Sequence, residues 1–185
     1  WRRSAASRDY LPFEGWDTVA RWFGVDSVNV SSSAGDASVP FGTQPAHQPF
    51  AAVDGDLRTS WKSSGVGGAV GQWIEVAFRG LTTPTGVTLT LADDGAGTVP
   101  SRVAVTTDAG STEQRVGQGR PQHLSVPDGP TQTLRVTLVE TRSPAPGFRF
   151  GIAELSVQGI HAARALVTPG TGAAAFLTTA DGARR

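Results

Sequence analysis

The sequence predicts an all-β protein built as an antiparallel β-sandwich, and three observations support this fold class. The 185 residues include 23 glycines and 12 prolines and are only 17% charged, which is typical of strand-rich chains with many turns. Short runs alternate apolar and polar residues with the period of a strand. The chain lacks the alternation of helices and strands that a parallel sheet needs.

The strands follow from this alternation. In residues 86–91, Val87, Leu89 and Leu91 fall on one face, and in residues 134–139 Leu134 and Val136 do the same. Turn residues separate the runs, as Thr107 to Ser111 do between two of them. The predicted strands are residues 28–31, 72–78, 86–91, 102–106, 124–126, 134–139 and 151–158.

Two flanks extend the predicted sandwich, which covers residues 25–159. Residues 1–24 are predicted to form a helical extension, because apolar residues between 10 and 23 partly follow one helical face and Gly24 can end the helix. This helix either packs on a domain or exposes an aromatic docking patch. Residues 160–185 are rich in Ala, Gly and Thr and are expected to be a linker or a segment docked on the sandwich.

Composition excludes several function classes. The formal net charge is zero, which argues against a basic face for nucleic acid or for an anionic membrane. Without cysteine there are no disulfides, thiolate zinc sites or cysteine nucleophiles. No apolar run approaches the ~20 residues of a membrane helix, so the chain is not expected to insert directly into a membrane. The initial Trp and the lack of Met indicate a piece of a longer protein.

No catalytic constellation stands out. His47, His123 and His161 are isolated in the sequence, and no nucleophile motif accompanies them. Asp93 and Asp94 form an acidic pair that fits a β-turn better than a glycosidase, which needs two carboxylates across a cleft. We therefore expect no catalytic residue in this chain.

The most informative stretch is residues 51–61, which read A-A-V-D-G-D-L-R-T-S-W. A strand-like Q-W-I-E-V run follows at 72–76, and G-I-A-E-L-S-V-Q-G closes the pattern at 151–159. In this order the segments resemble the discoidin or coagulation factor C-type (F5/8 type C) domain, a galactose-binding-like fold that many carbohydrate-binding modules share. The resemblance covers residues 25–159 and implies a galactose-binding-like jelly roll.

The resemblance implies a structural calcium at the D-G-D turn. In that family the turn commonly holds calcium together with the glutamate of the closing strand, and irregular loops of oxygen ligands suit this ion. Here the implied ligands are Asp54, Asp56, Thr59 and Glu154, helped by a carbonyl near Ala51. The alternative is that both aspartates only cap the turn through hydrogen bonds.

The family also implies roles for the tryptophans and the loop tips. Trp61 and Trp73 are expected to point inward, although an exposed Trp could instead stack on a sugar. A ligand would sit on loops at one end of the sandwich, near the D-G-D turn. The candidate binding residues there are His47, Arg58, Lys62, Arg142, Phe148 and Arg149. Few aromatic residues lie in these loops, so we expect weak binding or a purely scaffolding role.

The stretches V-N-V-S-S-S-A-G-D and P-F-A-A-V-D-G-D-L-R-T-S-W narrow the resemblance. They are similar to accessory modules of large actinobacterial arabinofuranosyltransferases that build cell-wall arabinan. This implies a non-catalytic, extracytoplasmic module that binds an arabinan-type glycan or braces the enzyme, with catalysis in a membrane-embedded domain elsewhere. Two other classes stay open: a protein- or membrane-adhesion module, and a subdomain of a hydrolase or lyase.

Overall fold

Two antiparallel sheets face each other in the structure, a computed structural model that describes residues 19–36, 44–65, 67–93, 98–142, 148–167 and 174–177. The strands are β1 Val19–Phe23, β2 Ser27–Val30, β3 Trp61–Lys62, β4 Trp73–Thr82, β5 Val87–Leu91, β6 Pro100–Thr107, β7 Gly110–Arg115, β8 Gln122–Leu124, β9 Thr131–Thr141, β10 Gly151–Val157, β11 Ala163–Val167 and β12 Ala174–Leu177. Short 3₁₀ helices cover Pro45–His47 and Pro49–Ala52. The predicted all-β antiparallel sandwich is confirmed.

The core lies between a five-stranded sheet, ordered β2-β4-β9-β6-β7, and a four-stranded sheet, ordered β3-β10-β5-β8. Alternation explains which side chains fill it. In β9, Leu134, Val136 and Leu138 are completely buried, and in β5 Leu89 faces them from the other sheet. Burial of these apolar side chains supplies the main driving force for closing the two sheets on each other.

The predicted N-terminal helix is wrong where the structure describes it. Residues 19–23 form β1 and pair antiparallel with β11, which also pairs with β12. The remaining part of the predicted helical extension, residues 1–18, lies outside the described residues. The apolar spacing fits a helical face only partly, and β11 offers a row of backbone partners that a local pattern cannot reveal.

This third sheet docks on the sandwich through aromatic and cationic contacts. The ring of Trp22 meets that of Phe50 edge to face at 5.5 Å, and the buried Arg164 lies 4.6 Å from the Phe50 ring. Arg164 Nη1 also donates to Gln48 Oε1 at 3.2 Å. Residues 163–167 of the predicted tail are thus a docked segment.

The two tryptophans of the motif point in opposite directions. Trp61 is fully buried, as expected, and its indole N–H donates to the Ser32 carbonyl at 3.0 Å. The inward prediction for Trp73 is wrong, because Ile74 takes the core-facing position of β4 and leaves Trp73 half-buried on the outer face. There the Arg135 guanidinium lies 4.2 Å from its ring.

The described helices are short. Within the described ranges, no helix has the length and apolar character that crossing a bilayer requires.

Candidate functional site

Loops that connect the two sheets meet at one end of the sandwich, which we call the loop end. It contains residues 31–36, which follow β2, residues 62–65 and 67–72, which lie between β3 and β4, and residues 148–151, which lead into β10. Backbone bonds tie them together: Ala34 N–H donates to the Lys62 carbonyl and Ser63 N–H to the Phe150 carbonyl, both at 2.8 Å. Backbone hydrogen bonds therefore hold the loops of the loop end together.

Three cationic or titratable side chains converge there. His47, at the end of a 3₁₀ helix, is half-buried, and its Nδ1 lies 3.1 Å from the Ser60 carbonyl oxygen. Burial lowers the pKa of His47, and the nearby positive charges of Lys62 and Arg149 lower it further. These residues were predicted from separate loops, and the structure brings them together.

Arg149 owes its position to a glycine. Gly65 has φ +84°, and a Cβ at this position would lie 3.3 Å from both Cγ and Nε of Arg149. Glycine thus provides both the left-handed turn and the room for the Arg149 side chain. The preceding residue, Phe148, is 73% exposed and presents its ring to solvent. We call His47, Lys62, Phe148 and Arg149 the loop-end cluster.

Serine hydroxyls support this cluster. Ser31 and Ser32 both donate to Gln72 Oε1, at 2.6 and 2.7 Å, and Ser32 Oγ accepts from the Ser64 N–H at 3.1 Å. The loop positions are therefore held before any ligand binds. The sequence analysis missed these residues; a serine run directly after a predicted strand was the available signal.

Two of the six predicted ligand residues lie elsewhere. Arg58 is paired with Asp56 in the D-G-D turn, with Nη2 2.5 Å from Oδ2. Arg142 follows β9 and lines a separate groove with Arg102 and Arg115. The structure thus supports a compact loop-end cluster and removes these two arginines from it. Predicted loop residues 43, 66, 94–97 and 143–147 lie outside the described residues.

The D-G-D turn gathers oxygen atoms beside the middle of β10. Thr59 Oγ1 lies 2.9 Å from Asp54 Oδ2 and 3.0 Å from the Asp56 carbonyl oxygen. Asp54 Oδ1 also accepts from the Asp56 N–H at 3.0 Å, which closes the turn. Hydrogen bonds within the turn, the alternative considered from sequence, are therefore present. Three oxygens of different chemical type lie together there.

The carboxylate of Asp56 is engaged by Arg58. Hydrogen bonds from the Arg58 side chain and backbone lower the pKa of Asp56 to about 2. Asp56 therefore brings its backbone carbonyl, rather than its carboxylate, to the oxygen group around Thr59. This refines the sequence prediction, in which both aspartates were equivalent.

Glu154 reaches the turn because of a bulge in β10. The register with β5 shifts between Ile152 and Glu154, and Ile152 and Ala153 are both buried. Glu154 Oε2 accepts from the Gly55 N–H at 3.0 Å. Burial raises the pKa of Glu154 to about 7, and the neighbouring Asp54 charge raises it too, against the Gly55 hydrogen bond.

These donors fit a hard cation. Two carboxylates, a hydroxyl and a carbonyl form an all-oxygen set, and Asp54 and Glu154 repel each other in a half-buried place. Ala51 lies fully buried in the adjoining 3₁₀ helix. Among the described residues, no group of three or more His, Cys, Asp or Glu side chains could hold a metal. A cation here would need hydroxyl and carbonyl ligands in addition to the two carboxylates.

The three histidines do not lie together in the fold. His47 lies at the loop end, His123 contacts Thr88 at 3.1 Å on the edge strand β8, and His161 lines a cavity of about 260 Å³ beside Asp54 and Glu154. Asp93 is exposed, and Asp94 lies outside the described residues. The three histidines thus occupy three separate regions.

Comparisons with known proteins show the family to which the chain is similar. Residues 29–176 match the family described as "Arabinofuranosyltransferase D, third carbohydrate binding module". An alpha-(1→3)-arabinofuranosyltransferase of Mycolicibacterium smegmatis is 36% identical over 151 residues, which are 80% of this chain and 10% of that protein. The chain thus spans about a tenth of this curated relative.

Solved structures with a similar fold include an arabinofuranosyltransferase and a carbohydrate-binding module. The cryo-EM structure of arabinofuranosyltransferase AftD from Mycobacteria matches with a TM-score of 0.75 and 29% identity, over 84% of this chain and 13% of that one. The family 32 carbohydrate-binding module of AlyQ, in complex with 4,5-unsaturated mannuronic acid, matches with a TM-score of 0.53 and 17% identity, over 75% of this chain and 98% of that module. At this identity the second likeness shows the fold alone.

Proposed function

The chain belongs to the family of the third carbohydrate-binding module of arabinofuranosyltransferase D, and from this premise we propose that it binds an arabinan-type cell-wall glycan at the loop end. The observation that carries the proposal is that the positive charges of Lys62 and Arg149 act on His47 at the loop end, where Phe148, the residue before Arg149, is exposed. Cationic donors suit sugar hydroxyls, and an aromatic ring can cover the apolar face of a sugar.

The expected binding is weak. One exposed aromatic residue and an open surface cannot bury much of a ligand, so the affinity should lie near the millimolar range, about −4 kcal/mol. The serine and glutamine hydrogen bonds partly offset this, because a loop that is already held loses less entropy on binding.

Calcium at the D-G-D turn is part of the proposal. Asp54, Glu154, the Thr59 hydroxyl and the Asp56 carbonyl would hold the ion, with a further carbonyl from near Ala51. Such an ion would neutralise the two carboxylates and fix the turn against β10. Its role would be structural.

The module would act within a larger arabinofuranosyltransferase. Its similarity to a tenth of a curated enzyme of this kind supports that assignment. We propose that the module lies on the outer side of the cell membrane of an actinobacterium, with catalysis in another part of the parent chain. Its partners would be the glycan and the neighbouring domains of that chain.

The test is an NMR titration of the chain with arabinan and galactan oligosaccharides. We expect arabinan to shift backbone resonances of residues 47, 62–65 and 148–151, with saturation in the millimolar range, about −4 kcal/mol. Shifts confined to the outer face of the five-stranded sheet would contradict the loop-end site. Binding to lipid vesicles without any shift by sugar would favour an adhesion module instead.

A further inference from the structure

A groove at the margin of the five-stranded sheet collects arginines that the loop end does not use. It has a volume of about 310 Å³ and lies where β6 begins and β9 ends. Its lining residues are Ser101, Arg102, Arg115, Glu140 and Arg142. We call this the arginine groove.

The strand register explains how the charges meet. Arg102 lies directly opposite Arg115 on β7 and opposite Glu140 on β9, where a bulge leaves Val139 unmatched. Directly opposed like charges destabilise a sheet, so Arg115 opposite Arg102 is unfavourable unless another group compensates.

Arg102 forms ion pairs with both neighbouring carboxylates, those of Glu113 and Glu140. Arg102 donates to Glu113 at 3.1 Å and also to Glu140. In the part of the chain that the structure describes, the guanidinium groups of Arg115 and Arg142 have no such carboxylate partner. The lining of the groove therefore brings three guanidinium groups together with one carboxylate, that of Glu140, and its net charge is positive.

The groove also carries neutral and accepting groups. The Ser101 hydroxyl is buried and has no hydrogen-bond partner among the described residues. Glu140 brings carboxylate oxygens that can accept a hydrogen bond. The Glu140 carboxylate would repel a simple anion. A ligand that carries both hydroxyls and one negative group could place its hydroxyls at Glu140 and its negative group at the arginines.

We propose that the arginine groove binds a saccharide that carries one oxyanion, held by Arg115 and Arg142. The forked guanidinium groups match the paired oxygens of a carboxylate or a phosphate, and the Glu140 carboxylate can accept hydrogen bonds from sugar hydroxyls. The volume suits one sugar unit. This goes beyond the proposed function, because it concerns a charged ligand at a site that shares no residue with the loop-end cluster.

The experiment titrates the chain with glucuronate, arabinose 5-phosphate, inorganic phosphate and neutral arabinose, with binding followed by NMR. We expect at least one of the two charged sugars to shift resonances of residues 101–102, 115 and 140–142. Which charged sugar binds tells whether the oxyanion is a carboxylate or a phosphate. Arg115→Gln and Arg142→Gln should each weaken binding about tenfold.

Arg120→Gln is the matched control. It removes the same charge from an exposed residue outside the groove, so binding should change less than about twofold. An equal loss in this variant, or equal binding of inorganic phosphate, would overturn the proposal, as would no shift with either charged sugar. Arabinan binding at the loop end should persist in Arg142→Gln, so failure here is distinct from failure of the proposed function.

Discussion

The loop-end cluster and the D-G-D turn lie against the same strand, three residues apart on β10, yet they differ in charge and exposure. Gly151 pairs with Lys62 at the loop end, whereas Glu154 accepts from Gly55 in the turn. The loop end is cationic, with an exposed ring. The turn is acidic, half-buried and closed by its own hydrogen bonds. The difference teaches that two neighbouring segments of one strand can provide opposite electrostatic environments.

The largest expected effect tests the turn. If calcium binds there, a hundredfold excess over its dissociation constant stabilises the fold by about 2.7 kcal/mol. This corresponds to roughly 5–10 °C in Tm for a domain of this size. Glu154→Gln removes one of the two carboxylates and should abolish most of the difference in Tm between calcium-loaded and chelated samples.

Asp56→Asn sharpens this test. In the parent chain the Asp56 carboxylate is paired with Arg58, and the substitution leaves the backbone carbonyl of residue 56 in place. The calcium response should therefore largely persist. A full calcium response in Glu154→Gln would contradict a site between Asp54 and Glu154. Loss of the calcium response in Asp56→Asn would show that the Asp56 carboxylate is itself a calcium ligand.

The next effect tests the loop end. Phe148→Ala should weaken arabinan binding about tenfold, or about 1.4 kcal/mol, because it removes the exposed ring. Stability should change by less than about 0.5 kcal/mol, since the side chain is on the surface. Isothermal titration and urea denaturation measure the two quantities.

Leu81→Ala is the control for this variant. Leu81 is 71% exposed in β4, outside the loop end, and should leave arabinan binding unchanged. If both substitutions weaken binding alike, the sugar responds to general surface hydrophobicity and not to the Phe148 ring.

A smaller effect tests the support beneath the cluster. Ser32→Ala removes a hydroxyl that links Ser64 to Gln72, which should cost about 1 kcal/mol of stability and a smaller part of the arabinan affinity. Ser125→Ala is the matched control, because the described hydrogen bonds of Ser125 run through its backbone. Unchanged stability in Ser32→Ala would show that the loop holds without this link.

The smallest effect concerns pH. The pKa of His47 is lowered by burial in the folded state, so the unfolded chain binds this proton at a higher pH. The contribution of His47 to stability is therefore complete above its ordinary pKa of about 6.5 and is lost as pH falls toward the folded value. His47→Gln should reduce the loss of stability between about pH 7.5 and 5.5, measured by urea denaturation.

The parent chain, measured over the same pH range, is the comparison for this variant. A parent-like profile in His47→Gln would mean that other groups set the pH dependence.

The periodicity and the motifs of the sequence were sufficient to predict most strands and the D-G-D turn. Alternation predicted the main strands because a half-buried strand must present one apolar face, as Leu134 and Val136 do. The D-G-D run predicted a turn next to Glu154 because the resemblance set the order of segments. The burial of Trp61 was also predicted correctly, since a large ring is most stable within a core.

Other features depended on contacts between distant segments, which only the tertiary structure could decide. Residues 19–23 became a strand because β11, far away in the chain, supplied the hydrogen bonds. Trp73 points outward because Ile74 occupies the core position. A sequence lists which charges exist, but the partners of a charge are chosen by folding. Arg142 thus lies in the arginine groove, while His47, Lys62 and Arg149 come together at the loop end.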